Sequence, residues 1–227
     1  MKGQLAILLV SLTLSAQDRY VTWSKDKDAD VCPRQEQAGS SPYQPSENFY
    51  WKRGVDFVQA GQRKDVSGFT VVGESGQPLQ LKSLKGKPVI IGLWSTHCEP
   101  SLFLLSEMAQ LSRRTASFGF EVLPTNFDRE RWITIRPFLN QKSIQPLLQG
   151  VKIFTPEMGE SGVYTLMPVV PVLPTFFIVD REGRLAVTGF GFKPGELAKW
   201  LKVILSEPAL KAPAAPQPNP APSPTPS

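Results

Sequence analysis

The chain has 227 residues, of which 41% are hydrophobic, so it can form one domain of about 100 to 150 residues with a buried core and still leave terminal segments. Its formal net charge of +5 is mildly basic. The Lys and Arg residues are scattered and no basic run alternates with aromatic residues, so we expect no nucleic-acid partner. Its two cysteines, Cys32 and Cys98, exclude a disulfide-rich scaffold and allow at most one intramolecular bridge.

The N-terminus has the pattern of a secretory signal. Lys2 precedes an apolar run over residues 5–14, and the small residues Ser15 and Ala16 follow it. The run is shorter than the roughly 20 residues that span a bilayer, which favours a signal peptide, but Leu14 is a weak residue for the cleavage site. We therefore predict that residues 1–16 are a signal peptide or an N-terminal membrane anchor. The protein is expected to be exported and to be periplasmic or otherwise extracytoplasmic.

Two further segments lack the periodicity of helices or strands. Residues 17–63 are polar and rich in turn residues, and we predict a polar spacer with little structure of its own. Residues 207–227 are rich in Pro, with Ala and Ser, a composition typical of a disordered, polyproline-like tail. The predicted domain therefore extends over residues 64–206.

Within this domain, strand and helix patterns alternate. Strands are predicted at 69–72 and 79–81 as a hairpin, then at 88–94, 119–127, 175–179 and 184–188, with a tight turn at 181–183. Helices are predicted at 102–118, at 130–141 with a break near Pro137, and at 194–205. Residues 144–168 have no clear pattern. This order predicts an α/β fold whose mixed sheet is covered by helices on both faces.

Two segments resemble the TlpA/ResA group of thioredoxin-like proteins, within the redoxin superfamily. The first is GKPVIIGLWSTHCEPS, residues 86–101, in which Trp94, Thr96, Cys98 and Pro100 match the family pattern. The second, residues 172–184, resembles the segment that carries the family's cis-proline, here Pro174, and then a strand ending in Asp-x-x-Gly. The resemblance implies a thioredoxin-like fold with an N-terminal β-hairpin and a central insertion.

Three positions depart from the family pattern. Ser101 replaces the second cysteine of the motif, His97 replaces the usual Trp, and Leu104 stands where ResA-like members carry an acidic residue. Cys98 is therefore the predicted catalytic nucleophile of a degenerate motif. A helix N-terminus favours its thiolate, whereas the charge of Glu99 opposes it, and the balance is left open.

The resemblance also implies a set of substrate-binding residues around Cys98. These are Trp94, His97, Pro100, Ser101, Pro174 and Thr175. No cofactor and no metal site are expected, because His97 is the single histidine and no further ligands accompany it. The missing second thiol also argues against the copper delivery known for some relatives.

The leading hypothesis is thiol-disulfide exchange through Cys98 alone. Cys98 would form mixed disulfides with extracytoplasmic protein thiols or disulfides, and an external thiol reductant would release them. Two alternatives are a catalytically degenerate redoxin that binds peptides at a face formed by Trp94 and Pro174, and a one-cysteine peroxidase. Whether the protein is an enzyme is left open.

The role of Cys32 has three interpretations. It could act as a second catalytic cysteine that resolves mixed disulfides at Cys98, because closing a loop of this length costs little more than closing a shorter one. It could instead form a structural disulfide with Cys98. The two cysteines could also be independent thiols.

Overall fold

The computed structural model describes residues 32–33, 54–157, 162–167 and 172–208. The predicted signal or anchor segment, most of the predicted spacer and the Pro-rich tail from residue 209 lie outside these ranges. Within the described ranges, no helix has both the length and the apolar character needed to cross a membrane.

The described residues form ten strands and five α-helices. The strands are β1 (Cys32–Pro33), β2 (Gly54–Phe57), β3 (Thr70–Gly73), β4 (Pro78–Gln80), β5 (Val89–Trp94), β6 (Glu121–Asn126), β7 (Phe154–Pro156), β8 (Val172–Leu173), β9 (Thr175–Val179) and β10 (Leu185–Phe190). The helices are α1 (Ser101–Ser112), α2 (Thr115–Phe118), α3 (Trp132–Leu139), α4 (Gln145–Leu148) and α5 (Glu196–Ser206).

Eight strands form one mixed sheet in the order β2-β10-β9-β5-β6-β7-β3-β4. β5 is parallel to β6 on one side and antiparallel to β9 on the other. All six residues of β5 are buried, because side chains pack on both faces of this central strand. Ile91 and Leu93 belong to one hydrophobic cluster, and Ile90 packs in a second cluster with residues of α1 and α5.

These observations confirm the predicted fold class, a mixed α/β sheet flanked by helices. Helices on both faces were expected, but the cluster that contains Ile91 and Leu93 includes no residue of the five α-helices. The strand predicted at 175–179 has these bounds in the structure, and the predicted hairpin is formed by antiparallel β3 and β4. Pro137 lies inside α3, which ends two residues later at Leu139. Residues 144–168, which have no clear pattern, contain α4 and β7, both too short to show a period.

The predicted boundary of the domain at residue 64 is too late. β2 pairs antiparallel with β10 and forms one edge of the sheet, and the guanidinium of Arg63 is buried against Asp180. β2 was missed because its four residues alternate between exposed and half-buried and form no apolar run. β1 also belongs to the predicted spacer, and it pairs with β8 of the domain.

Candidate active site

Cys98 lies in the turn that connects β5 to α1. The amide of Cys98 donates a hydrogen bond to the carbonyl of Ser95 at 3.3 Å, and the amide of Ser101 donates to the carbonyl of Cys98 at 2.9 Å. Pro100 is the N-cap residue of α1. Cys98 is therefore placed just before the helix and not in its first turn.

Cys98 is disulfide-bonded in the structure and only 3% exposed. Cys32 is the other cysteine of the sequence, and its backbone is paired with Leu173 in the β1–β8 ladder. The carbonyl oxygen of Leu173 lies 3.5 Å from Sγ of Cys98. Of the three interpretations of Cys32, two independent thiols do not agree with this bonded state, whereas a resolving cysteine and a structural disulfide both do.

The segment opposite Cys98 is fixed by a cis-proline, as the resemblance implied. The Leu173–Pro174 peptide bond is cis, and the carbonyl of Pro174 accepts a hydrogen bond from the amide of Gly191 at 2.9 Å. The Thr175 hydroxyl is buried and donates to the carbonyl of Val172 at 2.7 Å. These hydrogen bonds hold β8 and the first residue of β9 in a defined position beside Cys98.

The predicted substrate-binding residues differ in their exposure. Trp94 is fully buried, and its ring centroid lies 5.5 Å from that of Phe138. Ser101 is also fully buried, and its hydroxyl oxygen accepts a hydrogen bond from the amide of Ser95 at 3.3 Å. In this structure neither side chain offers a surface to a substrate, whereas His97 is exposed and Pro100 is half-buried beside the turn.

The position of the family's acidic residue is filled by apolar packing. Leu104 is buried in the same cluster as Met108. Both side chains approach Gly92 of β5 so closely that a Cβ there would clash with Sδ of Met108 and lie 3.1 Å from Cδ2 of Leu104.

No group of three or more potential metal-ligating side chains occurs in the described part of the chain.

Asp128 supports the turn that carries Cys98, and the sequence reasoning missed it. Its Oδ2 accepts hydrogen bonds from the Thr96 amide at 3.0 Å, from the Thr96 hydroxyl at 2.7 Å and from Nδ2 of Asn126 at 3.0 Å. Burial alone would raise the pKa of Asp128, but hydrogen bonds from Ser95, Asn126 and Thr96 outweigh it and hold the pKa below its ordinary value of 3.8.

A sequence signal for Asp128 did exist. The residue follows the C-terminal end of β6, and the turn with Cys98 follows the C-terminal end of β5. The C-terminal ends of two parallel neighbours meet at one edge of a sheet, where functional residues of α/β proteins commonly gather. We therefore regard Asp128 as a positioning residue of the candidate site.

The chain is similar in sequence to known thiol-disulfide oxidoreductases. No protein-family model matches the chain. The thiol-disulfide oxidoreductase ResA of Bacillus anthracis is 30% identical over 145 residues, which are 62% of this chain and 77% of that protein. ResA of Bacillus subtilis (strain 168) is 27% identical over 139 residues, 60% of this chain and 71% of that protein.

Solved structures support the same fold. A thiol:disulfide interchange protein of the thioredoxin family from Chlorobium tepidum TLS has a TM-score of 0.53 at 20% identity and covers 65% of this chain and 99% of its own. A DsbF homologue from Corynebacterium diphtheriae has a TM-score of 0.53 at 20% identity, with 73% and 99% covered. The chain belongs to the ResA family of thiol-disulfide oxidoreductases, and its domain has the thioredoxin-like fold.

Proposed function

We propose that this chain is an extracytoplasmic thiol-disulfide oxidoreductase in which Cys98 reacts with protein thiols or disulfides and Cys32 is its intramolecular partner. The disulfide bond at Cys98 carries the proposal. Ser101 has no thiol and cannot take the place of the second cysteine of the motif. Cys32 supplies the other thiol of the sequence, and its backbone in β1 is paired with Leu173 of β8.

The two cysteines complete a reductive cycle. The Cys98 thiolate attacks one sulfur of a client disulfide, so a mixed disulfide forms and the other client sulfur leaves as a thiolate that takes up a proton. The Cys32 thiolate then attacks Sγ of Cys98, which releases the client with both thiols reduced and forms the Cys32–Cys98 disulfide. An external dithiol reduces this bond and becomes a disulfide itself.

An extracytoplasmic location is part of the same proposal. Two features support it, namely the signal-like pattern of residues 1–16 and a disulfide at Cys98, because disulfides persist mainly in oxidising compartments. Reduced intact cells treated with a membrane-impermeant maleimide should label the chain. Labelling that occurs only after lysis would contradict the location.

The experiment that tests the mechanism compares wild type with Cys32→Ser and Cys98→Ser in the full-length chain. Non-reducing peptide mapping of the oxidised wild type should recover a cross-linked pair of peptides that contain residues 32 and 98. With a disulfide-bonded protein as substrate, reduced Cys32→Ser should accumulate a mixed disulfide because its second step is blocked, whereas Cys98→Ser should form none.

Other outcomes would replace this mechanism. Turnover by Cys32→Ser at the wild-type rate would show that Cys32 does not resolve the mixed disulfide. A reduced wild type that reacts with no disulfide would leave the bond at Cys98 a structural one. The chain would then have kept the fold for binding and not for exchange.

A further inference from the structure

β8 carries a strand-docking edge directly beside Cys98. It consists of Val172 and Leu173 and immediately precedes the cis-proline. The Leu173 carbonyl oxygen lies 3.5 Å from Sγ of Cys98. A chain segment paired with this edge therefore passes close to the sulfur that reacts.

The occupant of this edge in the structure is the protein's own β1. Cys32 is paired with Leu173 and Pro33 with Val172 in antiparallel register. Among the described strands, β8 and β1 form a separate two-stranded sheet apart from the main one. Departure of β1 would thus leave the main-chain groups of β8 on this side available to another extended segment.

We propose that the β8 edge holds one strand at a time, and that β1 occupies it as an internal competitor of client segments while the Cys98 disulfide is intact. The client is an extended protein segment that carries a disulfide-bonded cysteine opposite Leu173, the place that Cys32 takes. This inference rests on the proposed function, because it uses Cys98 as the reacting thiol and Cys32 as its partner.

The redox cycle and the strand exchange are then one process. An external dithiol converts the Cys32–Cys98 disulfide into two thiols and is oxidised to a disulfide, after which β1 is held by a two-residue ladder without a covalent bond. A client segment replaces it and forms the mixed disulfide with Cys98. When the Cys32 thiolate attacks Sγ of Cys98, the mixed disulfide with the client is broken. β1 returns to the β8 edge in the same step, so the client also loses its docking site.

Tethering favours the return of β1. A segment joined to its site by the same chain acts at an effective concentration on the order of millimolar. A client that pairs through a few main-chain hydrogen bonds has a dissociation constant above the client concentration, whereas tethered β1 is present at the millimolar effective concentration. The client therefore leaves once β1 competes for the edge. The arrangement therefore favours short-lived complexes after resolution, whereas a variant without the Cys32 thiol retains its client covalently.

The first measurement is hydrogen exchange of the full-length chain in its oxidised and reduced forms. Of the amides of residues 172–173, the one that points toward β1 should exchange at least about tenfold faster after reduction, and the amides of β5 should change little. Equal exchange of residues 172–173 in both redox forms would overturn the proposal.

The second measurement separates docking from chemistry. The Cys32→Ser chain is reacted with a synthetic peptide of residues 28–37, its cysteine linked to a chromogenic aromatic thiol, and with the same peptide N-methylated at Val31 and at the cysteine itself, since Pro33 has no amide hydrogen. The unmodified peptide should react about tenfold faster, because N-methylation removes main-chain donors and leaves the disulfide unchanged.

A small aromatic disulfide provides the control. If the chain reacts with neither the small disulfide nor the peptides, the proposed function fails at Cys98. If the small disulfide reacts normally and both peptides react at equal rates, the proposed function stands and the docking edge is refuted.

Discussion

Asp180, which is buried, and Asp128, which is half-buried, lie at opposite ends of the strands and are held in different ways. Asp180 follows the C-terminal end of β9 and faces cations, with Nη1 of Arg63 at 3.1 Å and Nε of Arg184 at 3.5 Å. Asp128 follows β6 at the edge that carries Cys98, and the hydrogen bonds described above come to it from neutral amide and hydroxyl groups. Because β9 is antiparallel to β5 and β6 is parallel to it, the two carboxylates lie at opposite ends of the strands.

The ion pairs of Asp180 connect distant parts of the chain, whereas the hydrogen bonds of Asp128 shape the candidate site. Arg63 joins Asp180 to Glu207, which follows α5, so one guanidinium links the start of the domain to the end of β9 and to the end of α5. Hydrogen bonding to Glu207 is the main cause that raises the pKa of Arg63, against the effect of burial. Asp128 instead orients Thr96, two residues before the cysteine, through directed hydrogen bonds.

The largest expected effect is on the ion pairs of Arg63. Arg63→Ala leaves Asp180 buried without this partner and should reduce the free energy of unfolding by about 3 to 5 kcal/mol, measured by denaturant unfolding of the oxidised protein. Arg136→Ala is the matched control, because its ion pair with Glu74 is exposed and such pairs contribute less than about 1 kcal/mol. A similar small loss in both variants would contradict the structural role of Arg63.

A smaller effect on stability, with a separate effect on the site, is expected for Asp128. Asp128→Ala removes the acceptor of the Thr96 amide and should reduce the free energy of unfolding by about 2 kcal/mol. The Cys98 disulfide should also be reduced faster by a dithiol, because the turn that buries it is less restrained. Asp65→Ala is the control: Asp65 also accepts a backbone hydrogen bond, from Ser67, but is exposed. An unchanged reduction rate in Asp128→Ala would show that Asp128 does not position the cysteine.

The smallest expected effect is a difference in acid sensitivity. The folded-state pKa of Asp128 is below its ordinary value of 3.8, so its stabilising contribution is complete above that pH and is lost as the pH falls toward the folded pKa. Burial raises the pKa of Glu107 from its ordinary 4.5, despite hydrogen bonds from the start of α5, so Glu107 contributes with the opposite sign.

This difference is measured as the free energy of unfolding of wild type and Asp128→Ala from about pH 6 to about pH 2. The gap between the two proteins should narrow below pH 3.8, because the wild type loses the contribution that the variant lacks. Asp65→Ala is a positive control, since hydrogen bonds with Ser67 also lower the pKa of Asp65 and its gap to wild type should narrow over the same pH range. A gap that is constant over the whole range would contradict the role of the ionised Asp128.

Local pattern was sufficient for the core of the fold. The apolar run of β5 and the residues of β9 predicted strands at these places, and all residues of both strands are buried in the structure. The family motifs located Cys98 and the cis-proline Pro174. Arg63 and β2 were assigned to a spacer, because their role depends on partners more than a hundred residues away, which no local period reveals.

The candidate site was less predictable for the same reason. Trp94 matched a motif, and the structure places it against Phe138 of α3, so the match indicated a packing position. The pairing of Cys32 with Leu173 joins a two-residue strand to a distant two-residue strand, and neither segment is long enough to show a pattern. Asp128 required knowledge of which strands are parallel neighbours.

The position of β1 has a mechanical consequence. The edge strands β2 and β4 of the main sheet both lie between Cys32 and Cys98 in the sequence, so the proposed disulfide closes a covalent ring that includes both borders of the sheet. A force that pulls on the two ends of the oxidised chain is transmitted through the disulfide. The segment between Cys32 and Cys98 therefore carries no load. Reduction adds about 230 Å of extensible chain at about 3.5 Å per residue, so the redox state of one bond sets how far the segment between the two cysteines can be drawn out.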